Sequence, residues 1–302
     1  MDFFTPLRAM ILATFISIFL MVIKFVVALL TGSIVVLASA IDSLLDICIS
    51  AFNYFALKEA SKPSNEKFNY GFGKIQYIAT TIEGILILLS AVYICYESFT
   101  RLHSGAILNN MNAAIWVMIL SMIVVGGLVL FLYQVAKISQ NPVIEADILH
   151  YKSDLFSNGA VLISLLVIGL SGFSLIDPIL GVFIAVYIAY GALKIIRSGI
   201  LMLLDTALDK QTHDNLLYIL NDSEILGYYN LKTRIVGDSV FVVVYLIFEK
   251  QITLLSAHSI CDEIENRIRS IDMNKKWEIT THLEPVEYFE NNNLSFIKRK
   301  NA

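Results

Sequence analysis

The sequence predicts an α-helical membrane protein, a six-transmembrane-helix bundle followed by a C-terminal cytosolic α+β domain. Three observations carry this reading. Of the 302 residues, 57% are hydrophobic and only 16% are charged, against about 25% charged in soluble globular domains. Six near-continuous apolar runs follow one another, each close to the roughly 20 residues that a spanning helix needs. From about Leu203 the chain turns charged, over a stretch long enough for a small domain.

The apolar runs are Ala9–Thr31, Ser33–Leu57, Tyr77–Tyr96, Ala113–Val135, Ala146–Leu170 and Pro178–Ile196. The first is too long for the h-region of a signal peptide, about 7–15 residues, and no A-x-A-like cleavage site ends it, so it reads as a retained helix. Six spans put both termini on one side. Arg8, Lys58, Lys62, Lys67, Lys74, Lys137, Lys194 and Arg197 fall together and Arg101 falls opposite, which makes both termini cytoplasmic. Short connections and a compact tail suit a multi-pass protein of the cell inner (plasma) membrane. The expected division is 1–202 for the transmembrane part, 203–290 for the cytosolic part and 291–302 for a disordered tail.

Within the cytosolic part, Thr212–Leu220 reads as a helix, and Leu231–Val236 and Ser239–Phe248 read as strands around Gly237-Asp238. Ser256 reads as the cap of an amphipathic helix reaching about Ile271, and Trp277–His282 as a last strand. The order αββαβ resembles a small ferredoxin-like sheet with helices on one face. The net charge of −4 comes with no basic tract, so no nucleic-acid partner is expected. Cys48, Cys95 and Cys261 lie far apart without CxxC spacing and read as apolar fillers.

The chemistry concentrates in Asp42-Ser-Leu-Leu-Asp46 on the second run and His150-Tyr-Lys-Ser-Asp154 on the fifth. Residues four apart share a helix face, so each run aims two ligands at one point. Three carboxylates and one imidazole make a donor set for a divalent cation, with tetrahedral N/O coordination suiting Zn²⁺ and more oxygen suiting Mn²⁺ or Fe²⁺. A charge at the bilayer centre costs about 2.5–3.5 kcal/mol even on the mild insertion scale. Lys152 is the one nearby cation and lies on another helix face, so an ion site is favoured over a structural salt-bridge network.

These residues, in this order, are similar to the cation diffusion facilitator (cation efflux) family, in particular its bacterial zinc/iron efflux branch. The resemblance also rests on Val36–Ala38 ahead of Asp42, on Tyr70-Gly-Phe-Gly-Lys74, on Ala146-Asp-Ile-Leu ahead of His150, and on Leu203-Leu-Asp205. It implies a homodimer in which Asp42, Asp46, His150 and Asp154 form the transport site and Zn²⁺, Fe²⁺ or Cd²⁺ leaves the cytoplasm in exchange for protons. It also implies a charge interlock between Lys74 and Asp205. Two departures stand out. Phe68 and Phe72 occupy loop positions where relatives carry histidines, and Asn230 and Tyr245 stand where a cytosolic dinuclear cluster has them. His258, His282 and Glu284 remain as candidates for one cytosolic regulatory ion.

Other polar residues have blander readings. Lys24 in the first run reads as a snorkelling side chain, and Asp147 as a helix-start residue. Glu83 has no partner legible in sequence; a proton acceptor, a dimer contact and a protonated carboxyl stay open. The alternatives to export are an intramembrane metal-dependent hydrolase, which would need an open coordination position and a general base, and a metal-sensing dimer that does not transport.

Overall fold

The computed structural model describes residues 5–31, 34–104, 112–171, 176–273, 275–288 and 296–298. The chain divides into two compact units, Met1–Ile200 and Leu201–Ala302.

The first unit is built from six long helices: α1 (Pro6–Thr31), α2 (Ile34–Ala60), α3 (Lys74–Ser104), α4 (Asn112–Ser139), α5 (Pro142–Ser171) and α6 (Ile176–Leu203). The shortest has 26 residues, about 39 Å at 1.5 Å per residue, against a hydrocarbon layer of about 30 Å. Among the described residues, α1, α3, α4 and α6 contain stretches long and apolar enough to cross a membrane. The other two, α2 and α5, are the helices whose apolar character is broken by the acidic pairs.

The helix ends lie where local chemistry puts them. Gln140 takes a positive φ of 48° to end α4, and the Val143 amide donates to Asn141 Oδ1 at 3.0 Å to start α5, with Pro142 at a position where its missing N–H costs nothing. Asn141 also donates to Gln76 Oε1 at 2.9 Å, tying this corner to α3. The core joins Ala9, Met10 and Ala13 of α1 to Leu128, Leu132 and Val135 of α4 and to Val143, Ile144 and Ile148 of α5. A separate cluster packs Ile87 and Ala91 of α3 against Ile188 and Ala192 of α6. Gly181 and Gly199 of α6 let these helices close up: a Cβ at either would collide with the hydroxyls of Ser98 and Thr81, the small-residue contact that packs helices in lipid.

The loop between α2 and α3 is held by contacts among its own residues. Asn65 Oδ1 accepts from the amides of Lys67 and Phe68 at 3.0 and 2.8 Å, Gly71 turns the chain at φ 75°, and the rings of Phe68 and Phe72 meet with centroids 4.8 Å apart.

The second unit has the expected element order: α7 (Lys210–Asn221), β1 (Gly227–Val236), β2 (Ser239–Phe248), α8 (Leu254–Arg269) and β3 (Lys276–Pro285), followed by a two-residue strand β4 (Ile297–Lys298). The sheet order is β3-β2-β1-β4. β1 and β2 form an antiparallel hairpin around Gly237, whose φ is 62°. β2 and β3 are parallel, which demands a crossover, and α8 supplies it. Ala257, Cys261, Ile264 and Ile268 are buried along one face of α8 against Val242, Val244 and Leu246 of β2. Burial pushes the Cys261 thiol up, as a core filler requires.

Three expectations need correction here. The cap of α8 is Thr253, whose hydroxyl accepts from the Ser256 amide at 3.1 Å, so Ser256 is the capped residue and not the cap. β1 starts four residues early because the register shifts between Tyr229 and Lys232, with Asn230 at φ 49°, and this irregularity hides the alternation. The tail is not wholly disordered: Tyr228 and Gly227 pair with Ile297 and Lys298, at a place where any side chain on residue 227 would strike the Ile297 carbonyl.

Candidate metal centre

Asp46 of α2 meets His150 and Asp154 of α5. The ligand atoms of these three residues all lie within 4.8 Å of one another, the single such His, Cys, Asp or Glu group among the described residues. His150 Nε2 is 3.1 Å from Asp46 Oδ1 and 4.0 Å from Asp154 Oδ2. Donors around one tetrahedral Zn²⁺, with bonds of about 2.0–2.2 Å, are separated by about 3.3–3.6 Å, so the three stand near one point but must shift by some tenths of an ångström to close on one ion. His150 and Asp46 are largely covered while Asp154 is 37% exposed, which leaves one side of the cluster accessible. Asp42 stands one turn before Asp46 on α2; its side chain lies outside the described residues.

The neighbouring residues set this geometry. The Tyr151 hydroxyl bonds Ser50 Oγ at 2.8 Å and Ser17 Oγ at 3.0 Å, pinning α5 to α2 and α1 beside His150. Ser50 is four residues after Asp46 and so shares its helix face. Lys152 leans away from the cluster onto α4, where its ammonium meets the Tyr133 hydroxyl and sits 4.4 Å from the centre of that ring. Lys24 does not snorkel: it is buried and donates to Ser43 Oγ at 2.7 Å, because α2 presents a hydroxyl to it across the helix contact.

A second polar cluster joins α2, α3 and α5. Asn53 Nδ2 donates to Glu83 Oε2 at 3.0 Å and to Asp147 Oδ1 at 3.3 Å, and all three residues are at most 1% exposed. Asn53 Oδ1, Glu83 Oε1 and Asp147 Oδ2 are covered and without a donor from any residue outside the cluster. Asp147 is therefore no helix-start residue; α5 begins five residues earlier and carries it into the interior. Sequence reading missed Asn53 altogether, since nothing local distinguishes it.

In the second unit, His282 Nε2 lies 3.1 Å from Glu284 Oε1, and the His282 ring packs at a tilt against Tyr245, which packs at a tilt against Tyr229, with centroids 4.6 and 4.8 Å apart. Aromatic rings thus back His282 on the sheet. His258 is not brought to this pair within the chain. It faces Asp262 at 3.6 Å, both well exposed, because Ala257 and Cys261 take the inward face of α8. Lys74 opens α3 in the first unit. Asp205 follows α6 in the second with φ 59° and accepts from Arg234 Nη1 at 3.2 Å, a partner that sequence reading did not assign.

With this geometry stand the comparisons. Residues 10–204 match the cation efflux transmembrane domain, and residues 210–286 match the cation efflux protein, cytoplasmic domain. The chain belongs to the cation efflux family. It is similar to the cation-efflux pump FieF of Yersinia enterocolitica, at 31% identity over 257 residues and 85% of each chain. The FieF pump of Shewanella oneidensis is 32% identical over 269 residues, covering 89% of this chain and 90% of that one. A solved structure of the zinc-transporter candidate CzrB covers 26% of this chain and 96% of its own at 25% identity, with a TM-score of 0.24.

This cation efflux protein is a membrane-embedded transporter of metal cations and not an enzyme, so the hydrolase reading lapses. The designation of its cytoplasmic domain, ZT_dimer, points to dimerisation.

Proposed function

We propose that this cation efflux transporter exports divalent metal, with Zn²⁺ the first candidate and Fe²⁺ or Cd²⁺ the alternatives, from the cytoplasm in exchange for protons. The observation that carries the reading is the convergence of Asp46, His150 and Asp154, from two helices, within 4.8 Å. Asp42, on the same helix one turn away, completes the set. Three carboxylates around a dication leave a formal charge of −1, and one nitrogen among the donors favours Zn²⁺ over Mn²⁺.

Coupling follows from competition. A ligand binds metal only when deprotonated, so proton and metal displace one another at the same atoms, the imidazole of His150 among them. The protein works as a homodimer in the cell inner membrane with both termini cytoplasmic. Residues 1–202 transport, and residues 203–290 hold the protomers together with an interlock through Lys74 and Asp205. His282 and Glu284 offer a weak cytosolic ligand pair that His258 joins only if supplied by another copy.

Metal-by-metal flux in proteoliposomes under an imposed pH gradient is the test. Zn²⁺ uptake that rises with the gradient, and is lost in Asp154→Ala, is expected. Flux indifferent to the pH gradient would remove the antiport, and wild-type flux from Asp154→Ala would remove the site.

A further inference from the structure

The geometry points to a second cation site, made only of oxygen, at Asn53, Glu83 and Asp147. It rests on the export reading for its role, as the station at which a dication halts before it reaches His150, but the binding claim stands on its own atoms.

Two carboxyls from different helices, α3 and α5, are buried around a single amide from α2. The Asn53 amide nitrogen donates to both, at 3.0 and 3.3 Å. It occupies the place, and makes the contacts, that a small cation between two carboxylates would. Three oxygens are left over, Asn53 Oδ1, Glu83 Oε1 and Asp147 Oδ2, each covered and without a donor from any residue outside the cluster. A polar bridge serving only to hold helices together satisfies its atoms, because a buried polar group without a partner is costly. Turning the Asn53 amide about its χ2 exchanges nitrogen for oxygen and brings an amide oxygen to Glu83 Oε2 and Asp147 Oδ1. Two carboxylates then neutralise one divalent cation.

Position gives the site its role. Asp147 precedes His150 by three residues on α5, and Asn53 follows Asp46 by seven on α2, so the cluster lies about 5–10 Å along the helix axes from the first centre at 1.5 Å per residue, toward the α5 N-terminus. Lysine counting places that end on the cytoplasmic side. An all-oxygen set holds Mn²⁺, Mg²⁺ or Ca²⁺ readily and Zn²⁺ less well than a set with imidazole, so Zn²⁺ passing from this all-oxygen site to the His150 centre moves toward tighter coordination.

The experiment uses the full chain in detergent with Mn²⁺ as the probe, read by electron paramagnetic resonance. The His150→Ala/Asp154→Ala variant has lost the transport centre. It is expected to retain one Mn²⁺ per protomer, and adding Glu83→Gln should weaken that binding at least tenfold, with Asn53→Ala following it. Glu83→Asp, which keeps the charge, should restore part of the affinity and guards against a simple folding defect. Absence of Mn²⁺ from the His150→Ala/Asp154→Ala protein, or binding unchanged by Glu83→Gln, overturns the site and leaves a carboxyl pair that holds a proton alone. Failure of the export reading looks different: wild-type vesicles move no metal while Glu83-dependent Mn²⁺ binding persists.

Discussion

Ser50 and Tyr151 share a hydrogen bond of 2.8 Å, one helix turn from Asp46 and one residue from His150. The clamp thereby sets the register in which a carboxylate of α2 meets an imidazole of α5. Tyr151→Phe keeps the ring and removes the hydroxyl, stranding Ser50 and Ser17, which are 0% and 2% exposed. The expected loss is about 1–3 kcal/mol of stability together with a several-fold rise in KM for Zn²⁺. Thermal melting and vesicle flux, measured on the same preparation, check both.

Asp46→Ala and Asp154→Ala should each abolish Zn²⁺ flux; Asp154→Ala should leave the melting temperature unchanged or raised, whereas Asp46→Ala also loses the 3.1 Å contact to His150. Removing one carboxylate from a cluster of like charges relieves repulsion when no ion is bound. A variant that fails to fold would mean these groups serve the scaffold.

His150→Asp exchanges the nitrogen donor for oxygen and should shift competition toward Mn²⁺ and Cd²⁺. Pairwise competition flux reports the ratio. An unchanged Zn²⁺ preference would show that the imidazole does not touch the ion.

Lys74→Ala and Asp205→Ala should each weaken the dimer, and the double variant should fall short of their sum if the two side chains meet. Arg234 also holds Asp205, at 3.2 Å, so Asp205→Ala should cost more than Lys74→Ala. Analytical ultracentrifugation of the four proteins reads the cycle; strict additivity would remove the interlock.

His282→Ala should leave the number of tightly bound Zn²⁺ per protomer unchanged. His282 and Glu284 are two donors backed by Tyr245 and Tyr229, fewer than the usual ligand set of a structural zinc. Calorimetry that loses a tight ion in this variant would reveal a further ligand from a second copy.

The sequence made some of this legible through rules that act over one helix turn. Asp46, His150 and Asp154 could be grouped because four-residue spacing fixes a shared face, and α8 could be placed because residues 257, 261, 264 and 268 repeat with the helix. What escaped depended on other elements. Lys24 alone on an apolar run has snorkelling as its default, and only α2, by presenting Ser43, reverses it. Asn53, Glu83 and Asp147 lie on three helices and carry no common spacing. The early start of β1 was hidden by Asn230, whose positive φ breaks the alternation that reveals a strand.

The ring contact between Phe68 and Phe72 bears on how the protein behaves when metal is scarce. A loop closed by histidines around an ion loosens as the ion is withdrawn, so its order follows supply. Here the α2–α3 connection is closed by aromatic packing and by Asn65, neither of which a chelator can remove. Withdrawal of metal should therefore leave this corner of the molecule in shape, ready for the next influx.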